Sequence, residues 1–124
     1  QLIRSKKSKN FFRKVFASKV EFSIQKTKLL LNKRLTITEI ANVRGVKEGT
    51  VWDHIANLIE YGQVSIWNIM PKRKIAWLLR VITDSEEPLK QIRERLKSKK
   101  VTFNEMACVR AHLKMKGKIK NRLV

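Results

Sequence analysis

Apolar residues recur at steps of three and four along most of this chain, the spacing of one helix face. The clearest stretch runs from Thr36 to Gly62. Thr36 and Glu39 stand at the spacing of a capping box, which opens a helix. Ile37, Ile40 and Ala41 then share one face, and Gly45 follows at a position suited to a left-handed stop. Val46 can plug the corner beyond it. A longer helix comes next, with Val51, Ile55, Leu58 and Ile59 inward and Gly62 placed to end it. Upstream, Ser23 can start a helix with Ile24, Thr27, Leu30 and Leu31 inward, up to about Arg34. Before that, Phe12, Val15, Phe16 and Val20 outline a short amphipathic segment, which reads as a helix docked on the domain or as a surface for a membrane or partner.

Downstream, Val64 and Ile66 suit a short extended segment or a rudimentary wing. Pro71 fits the first position of a helix whose inner face is Ile75, Leu78, Leu79 and Ile82. After the acidic break at 83–87, Pro88 opens another helix, lined by Leu89, Ile92 and Leu96. Thr102 and Glu105 repeat the capping-box spacing ahead of Met106, Val109 and Leu113, and Gly117 is placed to stop this last helix. The expectation is an all-α helical bundle. Residues 1–22 form a basic tail and amphipathic helix, and 23–70 a three-helix unit. Residues 71–116 add the C-terminal helices of the same domain, and 117–124 form a basic tail.

Helix, glycine turn and longer helix is the helix-turn-helix layout, whose second helix can enter a DNA major groove. An αα-hairpin in any bundle shares these signals. If the second helix reads DNA, its outward residues are Lys47, Thr50, Asp53, His54 and Asn57, with Trp52 at the margin. Thr50, His54 and Asn57 could bond base edges or phosphates, whereas Glu48 and Asp53 repel phosphate.

TITEIANVR at 36–44 and TFNEMACVR at 102–110 share Thr-x-x-Glu-apolar-Ala-x-Val-Arg. Capping and amphipathicity explain the first part, while the shared Ala, Val and Arg go further. This reads as a second, degenerate copy of the helical unit.

Composition sharpens the picture. Hydrophobic residues make up 43%, enough for a core, while only four glycines and two prolines favour helices over strands. No apolar run approaches the roughly twenty residues of a membrane-spanning helix. Cys108 is alone and sits in a helical pattern, a small core residue. With His54 and His112 it makes no zinc cluster, so neither metal nor cofactor is expected. A reducing intracellular compartment, whether cytoplasm, nucleoid or nucleus, is the expectation.

The net charge of +19 calls for a polyanionic partner. Residues 1–35 carry eleven Lys or Arg against one Glu, and 71–124 carry sixteen against five acids. Residues 36–70 carry two against four. The helix-turn-helix is thus slightly acidic between two basic flanks. Arg13 and Lys14 on one flank, and Lys72, Arg73 and Lys74 on the other, are candidate phosphate contacts. The last three work against the dipole of the helix they open.

LTITEIANVRGVKEGTVWDHIANLIEYGQVSI resembles the helix-turn-helix domain at the C-terminal end of RecQ-type and related DNA helicases. Matching positions are Thr27, Glu39-Ile40-Ala41, Arg44-Gly45, Thr50-Val51, His54-Ile55 and Gly62, and the family's closing segment is similar to Phe103 to Leu113. The resemblance covers about residues 23–115. It implies an accessory module without catalysis, attached to a helicase or another DNA-processing protein. Lys47 departs from it, standing where a capping Ser is usual. The basic N-terminal segment has no counterpart, and no P-loop is present.

The leading expectation is a non-enzymatic DNA-binding module that grips duplex or branched DNA through its flanks, beside a helicase body or another protein. The alternatives are a sequence-specific transcription regulator, weakened by the acidic residues and the lack of a dimer signature, and a protein-interaction module using Trp52, Trp67 or Phe11-Phe12. Asp53 and His54 are the only plausible chemical pair, and as neighbours on a helix they diverge.

Overall fold

The computed structural model describes residues 19–98 and 100–123. Helix α1 occupies residues 19–32. After it come α2 (Ile37–Arg44), α3 (Glu48–Glu60), a single 3-10 turn (Ile66–Asn68), α4 (Lys72–Val81), α5 (Leu89–Leu96) and α6 (Phe103–Leu123). The fold is all-α. The stretch after Gly62 corrects the wing expectation: Ser65 Oγ accepts from the Trp67 amide and coils the chain into the 3-10 turn.

The local chemistry accounts for the boundaries. Thr36 caps α2, with its hydroxyl accepting from the Glu39 amide and the Glu39 carboxylate accepting from the Thr36 amide, both at 3.1 Å. Gly45 ends α2 at φ 65°, a left-handed conformation that glycine adopts without Cβ crowding. The chain then turns into α3, with Val46 packed on the core. Lys47 occupies the N-cap of α3 and makes no side-chain cap bond. Pro71 and Pro88 each stand one position outside their helices, at the N-cap. Thr102 and Glu105 close a second capping box at the start of α6.

Two ends differ from expectation. Helix α1 is already formed at residue 19, four positions before Ser23. Helix α6 runs through Gly117 to Leu123, so 117–123 is helix and not a tail. Beyond Gly117, Lys118 pairs with Glu60 at 2.7 Å and lies over the Tyr61 ring at 3.8 Å, which fastens this last part of α6 to the end of α3.

The core runs through α2 to α6. Ile40, Val51, Ile55, Ile59, Ile66, Ile75, Leu78, Ile82, Ile92 and Met106 are completely buried in one cluster. Helix α3 packs against α2 and, more extensively, against α6. Helix α6 also receives α4 and α5, so it is the spine of the C-terminal half. Cys108 lies in this core, where burial pushes its thiol up to about 12. No helix among the described residues is long and apolar enough to cross a membrane.

Candidate nucleic-acid interface

The helix-turn-helix is held together by a polar junction between α1, α2 and α3. Arg44, the last residue of α2, reaches α1. Its guanidinium donates to the Ser23 carbonyl (2.8 Å), the Ser23 hydroxyl (2.6 Å) and the Thr27 hydroxyl (2.6 Å). Thr27 is fully buried, and its Oγ1 lies 2.8 Å from His54 Nδ1. Arg44 Nη1 also lies 3.4 Å from His54 Nδ1, so that nitrogen faces a donor and acts as the acceptor, taking the Thr27 proton in preference to the Ser23 carbonyl 3.4 Å away. That assigns the proton of a neutral imidazole to Nε2. Burial, and then the nearby Arg44 charge, hold His54 below its ordinary value and keep it neutral.

This corrects the outward placement of His54. It is half-buried and turned toward α1. The spacing contained a signal: His54 lies three residues after Val51 and four before Leu58, both fully buried, so it flanks the apolar face. The remaining outer strip of α3 consists of exposed Lys47, half-buried Thr50 and exposed Asn57, at steps of three and seven, with exposed Asp53 beside them. Glu48 accepts a hydrogen bond from the Thr38 hydroxyl. Trp52 is half-buried against the core, at the margin where periodicity placed it. Asn57 lines shallow grooves on both sides of α3. One is shared with Ile24 and Tyr61, the other with Ala107, Arg110 and Lys114 of α6.

The second group of sequence candidates lies elsewhere, on the first turn of α4. Lys72 and Arg73 are exposed. Lys74 is tied down, against the expectation of a free phosphate contact. Its Nζ lies 2.8 Å from Glu105 and 3.4 Å from the Lys100 carbonyl. Burial alone would raise Glu105, but hydrogen bonds from Lys74 and Thr102 outweigh it and hold the carboxylate low. Arg13 and Lys14 fall outside the described residues. Helix α6 packs against both α3 and α4, and the candidates divide into these two surfaces.

Other cations are also spent inside the fold. Arg95 pairs with Glu87 and donates to the Val81 carbonyl at 2.7 Å. Arg110 donates to the Glu87 carbonyl at 3.0 Å. Arg110 is the counterpart of Arg44 in the sequence echo, and both tie a capped helix to a preceding segment. The echo stops one residue later. Where α2 meets Gly45, α6 has Ala111, and the helix continues. No group of three or more His, Cys, Asp or Glu among the described residues is placed to hold a metal ion.

A capped helix, a left-handed glycine turn and a longer helix, braced by a third helix, define a protein of the helix-turn-helix class, whose general role is DNA binding. The chain belongs to the helix-turn-helix domain family, matched over residues 23–110, more than two thirds of its length. No curated protein and no solved structure matches it.

Proposed function

We propose that this chain is a non-enzymatic DNA-binding accessory module of a helicase or another DNA-processing protein, as its resemblance to the RecQ-type domain suggests. It grips duplex or branched DNA with little sequence preference. The observation that carries this reading is where the charge lies. The outer strip of α3 offers one lysine, two small polar side chains and an aspartate. The basic excess lies on the flanks, in residues 1–35 and 71–124. Phosphate contacts therefore come chiefly from the flanks, with Lys72, Arg73, Arg13 and Lys14 leading and Lys47, Thr50 and Asn57 adding lesser contacts.

The test is the affinity of the full chain for duplex, forked and single-stranded DNA across a salt series. A module that neutralises six to ten phosphates loses about 10³ to 10⁵ in affinity between roughly 50 and 200 mM salt. Affinity should barely change between unrelated sequences. A flat salt response, or a sharp motif selected from random duplexes, rejects the proposal.

A further inference from the structure

The exposed aromatic side chains differ in what covers them. Phe22, Tyr61 and Phe103 each lie under a cation of the chain: Lys26 at 4.7 Å, Lys118 at 3.8 Å and Arg93 at 4.8 Å. Trp67 stands edge-on to His112, ring centres 6.4 Å apart. Trp77 has no such cover among the described residues, and it presents 38% of its surface. It sits on the outer face of α4, away from the buried Ile75 and Leu78.

Arg73 precedes Trp77 by four residues and Arg80 comes three after it, so the three side chains line up on that face. Both arginines are exposed, and neither has an acidic partner among the described residues, in contrast to Lys74. Seven residues of helix span about 10.5 Å, which puts one arginine about a turn to either side of Trp77 along the helix.

We propose that the outer face of α4 is a binding site for single-stranded nucleic acid, with an unpaired base stacked on Trp77 and the flanking phosphates paired with Arg73 and Arg80. The site deepens the DNA-binding reading above and rests on it. A flat aromatic between two free cations fits a strand whose bases are splayed, because every base has a face to stack and a backbone charge on each side. A continuous duplex offers phosphates to the arginines but no free base to the indole.

The experiment measures fluorescence anisotropy of the full chain with a labelled oligothymidylate and with a labelled blunt duplex. The variants are Trp77→Ala, Trp77→Phe and the double change Arg73→Gln, Arg80→Gln. Trp77→Ala should weaken oligothymidylate binding about tenfold and leave duplex binding nearly unchanged. Trp77→Phe, which keeps a stacking ring and is the milder change to the fold, should retain most of the affinity. The arginine pair should weaken both ligands and reduce the single-strand salt slope by about one to two. Wild-type affinity of Trp77→Ala for the oligothymidylate overturns the site while leaving the DNA-binding reading in place. So does an equal loss on both ligands with the helical circular dichroism unchanged. A wild-type chain that binds neither ligand overturns both.

Discussion

Thr27 sits where three helices meet, and its single hydroxyl serves Arg44 and His54 together. Replacing it with Val keeps the shape and removes the oxygen. The guanidinium loses one acceptor and the imidazole its nearest donor, inside a part-buried junction. Thr27→Val should therefore cost about 1–3 kcal/mol in urea unfolding, and a loss below the error of that measurement would show that the junction is not what braces α1. His112 is the opposite case. It is 4% exposed, and neither ring nitrogen has a partner among the described residues. His112→Leu removes two buried unsatisfied groups and should stabilise the fold by about 1 kcal/mol, and a drop in the urea midpoint would refute that. Thr27, Arg44 and His54 were each legible as motif residues. Their meeting was not, because it joins positions 17 and 27 residues apart through side chains whose directions depend on how α1 crosses α3. His54 was misplaced because a polar side chain next to an apolar face reads as solvent-facing until a partner for it is known.

At the level of elements, glycine shows what sequence can and cannot decide. Gly45 and Gly117 both come after amphipathic helices and both suit a stop signal. Gly45 takes φ 65° and turns the chain. Gly117 remains inside α6, with nothing within 4 Å of an added Cβ. The difference lies in the residues beyond each glycine. After Gly45 the chain needs a corner for Val46 to bury. After Gly117, the helix continues and brings Lys118 onto Glu60 and Tyr61. Gly117→Ala should accordingly stabilise the protein by about 0.5–1 kcal/mol by improving helix propensity. A helix stop at that position would instead make alanine destabilising, so the sign of the change in thermal midpoint decides. The segment that echoes α2, residues 102–110, obeys the same logic: it keeps the capping box and the tethering arginine, but Ala111 in place of a glycine turn lets the helix run on.

Across the whole molecule, the two histidines make stability depend on pH. Burial lowers both, aided by Arg44 at His54 and Lys116 at His112. In the unfolded chain they take up protons near their ordinary value of 6.5, before the folded protein does. Their contribution is therefore fully present above pH 6.5 and is lost as pH falls through the lower folded values. The urea midpoint should hold steady between about pH 8 and 7 and fall below about pH 6.5. His112→Leu should remove part of that fall, and a midpoint that rises on acidification would contradict the assignment. Periodicity, caps and composition by themselves determined the helical class, the helix-turn-helix, the main buried faces and the basic flanks, because these depend on local spacing and on counts of residue types. Only the tertiary structure decided which polar groups are consumed. Packing α6 across α4 turned Lys74 toward Glu105, the meeting of α1 with α2 and α3 drew His54 into a polar junction, and Trp77 stayed partly exposed on the outer face of α4 with an arginine on either side of it along the helix. Those outcomes depend on which helix lies beside which, and side-chain reach across such contacts leaves no periodic trace in the chain.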